Sequence, residues 1–148
     1  MKVILLVKIN GMDFPLDRKY YIKNGAHIWL KQEKDVIKIG LDAFATQIAG
    51  PIDFIYAKKG QVKSNEVIGS FESTKFVSKL HSPINGEIIT INTKVVNQPK
   101  SISNKPYDSW IVEIKPDNPN INGKYILEEK EKITIWILNE IKRLKNNK

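Results

Sequence analysis

The sequence contains no cysteine. That excludes disulfides, thiolate metal sites and a cysteine nucleophile. Histidine is nearly as scarce: His27 and His81 are the only two, too few for a histidine-rich metal centre. Arginine occurs only as Arg18 and Arg143. The net charge of +8 therefore comes from lysine, spread along the chain without a dense basic block. Base reading and phosphate clamping rely on arginine's rigid fork, so the charge reads as a solvated lysine surface. No nucleic-acid partner is expected, and acidic proteins are the candidate partners that the charge allows. Long apolar runs are missing too. Val3–Val7 is too short for a signal segment or a membrane span, and Lys8 ends it. It reads as a buried strand in a cytoplasmic protein that makes no membrane contact.

What the chain does contain is a β pattern. Its 148 residues, 41% hydrophobic and 27% charged, suit one globular domain with a real core. Strands are predicted over Val3–Ile9, Ile28–Gln32, Val36–Leu41, Ile52–Tyr56, Val67–Phe71, Phe76–Leu80, Gly86–Ile91 and Trp110–Ile114. Asn-Gly pairs at Asn10-Gly11, Asn24-Gly25, Asn85-Gly86 and Asn122-Gly123 suit tight turns. Many short strands at this spacing favour a sandwich or barrel. Two helices interrupt them. Asp42–Ala49 has Asp42 as a cap and Gly50-Pro51 as a stop. The second runs from about Leu127 to Leu144, with Ile133, Trp136, Ile137, Ile141 and Leu144 on one stripe and Glu128 spaced to pair with Lys132. The organisation expected is a β domain over 1–116 and a linker plus amphipathic helix over 117–148 that packs on it.

Catalysis by side chains finds no support. There is no Gly-x-Ser-x-Gly elbow, no Walker loop and no dinucleotide fingerprint. Neither histidine has a partner legible in the sequence, and no two carboxylates stand out as an acid/base couple. No catalytic residue and no metal site is assigned. Lys75 is different in its setting. It follows Glu72-Ser73-Thr74 and precedes Phe76, at a polar turn between two apolar runs. An amine held there protrudes from a rigid hairpin, within reach of a modifying enzyme.

From about Tyr20 to Pro116 the sequence resembles the H-protein of the glycine cleavage system. His27-Ile28-Trp29 resembles the family's His-Glu-Trp. Ile39-Gly40-Leu41 with Phe44-Ala45 resembles Val-Gly-Ile-Thr-x-Tyr-Ala. Glu72-Ser73-Thr74-Lys75 resembles Glu-Ser-Val-Lys, whose lysine carries lipoate, and Ser82-Pro83-Ile84-Asn85-Gly86-Glu87 resembles Ser-Pro-Val-Ser-Gly-Glu. Asn92, Pro99, Asn104, Pro106-Tyr107 and Trp110 through Pro116 follow in the family's order.

The resemblance implies a mainly β barrel-sandwich hybrid with a short internal helix and a C-terminal helix. It implies lipoate attached to Lys75, with Glu72, Ser73, Thr74 and Phe76 as neighbours and His27 near the arm. It implies a non-catalytic carrier of glycine's aminomethyl group. The partners implied are a lipoate-attaching enzyme, glycine decarboxylase, aminomethyltransferase and dihydrolipoyl dehydrogenase. Some positions depart from the pattern. Ile28 replaces a glutamate, Phe76 replaces an alanine, and the N-terminal segment is extended. These are similar to a divergent branch, the H-like lipoate-binding proteins that serve heterodisulfide-reductase-like complexes in sulfur oxidation. A biotin carrier would share the fold, but Thr74 and Phe76 stand where its methionines would flank the lysine. An unmodified partner-binding β domain is the reading from another class.

Overall fold

The computed structural model describes residues 5–146. Val3 and Ile4, which begin the first predicted strand, lie outside them. Strands β1 (Leu6–Ile9) and β2 (Met12–Pro15) form a hairpin. Asn10 and Gly11 turn it with φ of 53° and 82°, the left-handed values that make Asn-Gly a hairpin signal. Next come β3 (Lys19–Tyr21), β4 (Ile28–Glu33) and β5 (Val36–Leu41), then helix α1 (Ala43–Ala49). The chain continues through β6 (Ile52–Ala57), β7 (Gly60–Val62), β8 (Val67–Ser73), β9 (Val77–His81) and β10 (Gly86–Ile91). Two single-turn helices follow, α2 (Thr93–Asn97) and α3 (Lys100–Asn104). Then come β11 (Val112–Pro116), β12 (Ile126–Leu127) and α4 (Lys130–Asn146).

Seven strands pair antiparallel in the order β12-β3-β4-β5-β11-β10-β7, and three more in the order β6-β8-β9. The two sheets face each other in a mainly β barrel-sandwich hybrid. Leu30, Ile39, Ile88 and Ile114 of the larger sheet meet Ile52, Ile55, Ile68, Phe71 and Leu80 of the smaller one in one core. The period-two alternation of β4 supplies both faces of its sheet. Ile28 and Leu30 point into this core, while Trp29 points the other way. There Trp29 and Tyr20 meet a second core of Ile9, Met12 and Phe14 from the hairpin, Phe44 from α1, and Ile133 and Ile137 from α4. The larger sheet is thus covered on both faces at β3 and β4. That is why Ile28-Trp29-Leu30 reads as a continuous apolar run.

Several boundaries differ from the sequence reading. Phe76 falls in the turn, and its strand begins at Val77. Leu127 pairs with Tyr20 in β12, so the last helix starts at Lys130. That shift breaks the expected spacing. Glu128 meets Lys19 at 3.8 Å, and Lys132 meets Glu129 at 3.6 Å. Strands β2, β3, β7 and β12 and helices α2 and α3 are too short to carry a period of their own. Tertiary pairing forms them. Among the described residues no helix is long and apolar enough to cross a membrane.

Gly69 is the tightest point between β6 and β8. A Cβ there would meet the Tyr56 carbonyl oxygen at 2.0 Å. Gly69→Ala must push the two strands apart and is expected to lower unfolding free energy by about 2 kcal/mol or more, measured by urea denaturation. Gly123→Ala meets nothing within 4 Å and is expected to leave stability unchanged.

Candidate functional site

Thr74, Lys75 and Phe76 join β8 to β9. The Ser73 N–H donates to the Phe76 carbonyl at 3.0 Å, closing the turn. The Lys75 N–H donates to the Ser73 hydroxyl at 3.2 Å. Ser73, read from sequence as a turn residue, is instead the buried last residue of β8, and its hydroxyl props the lysine backbone. Glu72 pairs with Val77 on the exposed face of the small sheet. Phe76 lies edge-on to Phe71, centroids 6.4 Å apart. Thr74 and Lys75 are exposed. The Lys75 Nζ donates to the Ile48 carbonyl near the end of α1 at 3.4 Å. Among the described residues it has no carboxylate at ion-pair distance. The arrangement is a primary amine displayed on a hydrogen-bonded turn.

Five of the six residues singled out in the sequence, Glu72 to Phe76, therefore share one hairpin tip. His27 is elsewhere. It lines a groove of about 440 Å³ that also touches Phe76, Val77 and Lys79, but its ring is committed to the fold. Nδ1 bonds Asp42 Oδ2 at 2.9 Å, and Nε2 bonds Glu140 Oε1 at 2.8 Å. Phe44 and Trp136 stack on its two faces, centroids 4.4 and 4.6 Å away. Asp42 is shared: its other oxygen accepts the Ala45 N–H and caps α1. Glu140 is shared too, through Arg143 Nε at 2.8 Å. Burial opposes a charge on His27, but the two carboxylates outweigh it and raise its pKa to about 9. The hydrogen bond from His27, aided by Arg143 and against burial, holds Glu140 at about 2. The imidazolium thus donates to both carboxylates and clasps β4, α1 and α4 together.

The sequence reading missed Glu140. The signal was present: position 140 sits in the stripe Ile133, Trp136, Ile137, Ile141, Leu144, and a buried carboxylate there requires a cation. Tyr107 was legible only as part of a motif. Its hydroxyl accepts the Ala43 N–H at 3.0 Å and donates to the Asp13 carbonyl at 2.6 Å, tying α1 to the first hairpin.

A family model described as glycine cleavage H-protein matches residues 18–137. Among curated proteins, the chain is similar to the probable glycine cleavage system H protein 3 of Sulfurisphaera tokodaii. The two are 36% identical over 140 residues, which span 93% of this chain and 98% of that one. It is also similar to the glycine cleavage system H protein of Bacillus subtilis, 32% identical over 127 residues, 83% of this chain and 98% of that one. Among solved structures, a glycine cleavage system H protein from Mycobacterium marinum superposes with a TM-score of 0.68. It has 28% identity over 80% of this chain and 94% of that one.

The clasp makes stability pH-dependent. The folded pKa of His27 is raised from 6.5 to about 9. Its contribution is full below 6.5 and is lost as pH rises through about 9. Glu140 is lowered from 4.5 to about 2, so its contribution is full above 4.5 and is lost as pH falls through about 2. Urea unfolding of wild type and His27→Gln, followed by tryptophan fluorescence across a pH series, checks this. The gap between the two should be widest between pH 4.5 and 6.5 and should narrow as pH rises from 6.5 towards about 9. A gap that stays constant across that range means that His27 is neutral when folded.

Proposed function

The chain belongs to the glycine cleavage H-protein family, lipoyl carriers within a multienzyme system, and we propose that it carries lipoate in amide linkage on the Nζ of Lys75, in the cytoplasm. The observation that carries this is the exposed Lys75 on a turn held by Ser73 and Phe76. The amide forms between Nζ and the lipoate carboxyl with loss of water, and an attaching enzyme activates the carboxyl. When bound, lipoate supplies a sulfur that takes up a one-carbon fragment of glycine and a disulfide that accepts electrons. The protein contributes presentation. The hairpin fixes where the arm begins, and tethering raises its effective concentration at a docked enzyme. Glu72 and Thr74 are exposed beside the lysine and are assigned to recognition by the attaching enzyme. In this reading 1–116 is the unit that presents the arm, and in 117–148 the helix α4 packs back on it through Ile133 and Ile137.

The proposed partners are glycine decarboxylase, aminomethyltransferase and dihydrolipoyl dehydrogenase. The outer face of the arm-bearing sheet leaves Phe54, Tyr56 and Val77 each more than 60% exposed, an apolar surface beside the arm for such enzymes to meet. A second reading is a carrier of anionic sulfur intermediates for a heterodisulfide-reductase-like complex, and one observation favours it. The groove beside Phe76 is lined by Lys23 and Lys79, which meet no carboxylate at ion-pair distance among the described residues, whereas the charges of His27 and Arg143 are taken up by Asp42 and Glu140.

Coexpression with a lipoate ligase and lipoate tests the attachment. Intact mass of wild type should rise by one lipoyl group, and Lys75→Arg should gain none; an unmodified wild type or a modified variant refutes it. Incubating the lipoylated protein with glycine decarboxylase and glycine separates the two cargo readings. Loading of the arm supports the glycine reading, and failure where another H-protein loads supports the sulfur reading.

A further inference from the structure

The first hairpin has one closed edge and one open edge. The Leu16 N–H donates to the Leu5 carbonyl at 2.8 Å. Along β1 and β2, where Val7 faces Phe14 and Ile9 faces Met12, bonded and non-bonded pairs alternate. Leu5, Val7 and Ile9 therefore turn their backbone groups towards β2, and Leu6 and Lys8 turn theirs outward. On the far edge the Asp13 and Pro15 carbonyls also point outward, and the Tyr107 and Tyr20 hydroxyls donate to them at 2.6 and 2.7 Å. The outward groups of β1 have no such cover. Among the described residues β1 pairs only with β2, and no other group bonds to the backbone of Leu6 or Lys8.

An uncovered edge is a template for another strand, and a lysine on the edge usually guards against this by its charge. Here the Lys8 Nζ lies 2.8 Å from Asp13 Oδ1 of its own hairpin, so the edge carries little charge to repel a neighbour. Beside it, Leu5 is 71% exposed and Leu6 43% exposed.

We infer that this edge is where a second copy of the chain adds, β1 against β1. The two hairpins then form one antiparallel sheet in the order β2-β1-β1-β2. A two-fold axis through Val7 sets Leu6 of each copy opposite Lys8 of the other. Each such pair exchanges both of its N–H···O bonds, because these are the residues whose groups face outward. A copy of the same strand satisfies this register by symmetry. The charges agree with it. Across the exposed face the row reads Asp13, Lys8, then Leu6 and Pro15 of the second copy, so no like charges stand directly opposite. The contact is short, so association is weak and depends on concentration. Antiparallel pairing sends the two hairpin turns to opposite ends. Asn10 in that turn and Lys75 line a common groove, across the Phe44 and Ile48 ridge from the one beside Phe76. The two Lys75 residues thus lie towards opposite ends of the dimer, both open to other proteins. None of this depends on modification of Lys75.

Sedimentation velocity of the full, unmodified chain over a wide concentration range tests the inference. Wild type should shift from monomer towards dimer as concentration rises. Leu6→Pro removes an outward N–H and leaves the bonds between β1 and β2 in place, so it should weaken association by roughly tenfold or more. A wild type that stays monomeric, or a variant that associates as wild type does, overturns the inference. Because the chain has no cysteine, a cross-link reads the register without relying on the proline variant. Leu6→Cys and Lys8→Cys proteins are mixed under mild oxidation. A bonded pair holds its Cα atoms about 5.5 Å apart, within reach of a disulfide, so the mixture should yield a dimer linked between positions 6 and 8. Leu6→Cys alone should yield little, since its two copies lie on a diagonal of about 7–8 Å. No cross-link in the mixture, or one formed as fast by either variant alone, overturns the inference.

Discussion

The buried imidazolium of His27 is the interaction on which the surroundings of Lys75 depend. It is held between Asp42 and Glu140 and stacked between Phe44 and Trp136. A charge taken out of water must find its partners in place, because each one lost leaves an uncompensated charge. The three elements that supply those partners are therefore coupled. Asp42 begins α1, His27 leads into β4, and Glu140 lies on α4. The same α1 and α4 wall the grooves on both sides of the Phe44 and Ile48 ridge. The clasp thus sets the distance between the last helix and the hairpin that bears Lys75.

A carrier needs a rigid base and a mobile tip. Ile68 and Leu80 anchor β8 and β9 in the central core, while Thr74 and Lys75 stand clear of it. Two backbone hydrogen bonds, to Phe76 and to the Ser73 hydroxyl, order the turn from within. Apolar burial holds the strands, and local hydrogen bonds shape the tip, and neither uses the Lys75 Nζ.

Much of the fold was legible because it rests on local rules. Short apolar runs bounded by turn residues marked β4, β5, β6 and β10, Asn10-Gly11 marked the first tight turn, and Asp42 marked the start of α1. What escaped was set by distant pairing. Residues 126 and 127 form a strand only because Tyr20 and Tyr21 stand opposite. Phe76 looked like a strand residue because it is apolar, yet the Ser73 to Phe76 hydrogen bond claims it for the turn. His27 drew notice as part of a motif near the arm. Its partner Glu140 is 113 residues away, beyond what spacing can reveal.

The sequence by itself determined the chemistry available. It contains no thiol and no Gly-x-Ser-x-Gly, Walker or dinucleotide motif, and it places one lysine between two strands in an order of motifs that resembles a lipoyl carrier family. Those features follow from residue identity and short-range conformational preference. Only the tertiary structure decided which way the amine points, what lies beside it, and that His27 is a charged tie within the fold. These depend on α4 folding back against β4 and α1, a juxtaposition fixed by burying Ile133, Ile137 and the His27 charge together. No local preference encodes it.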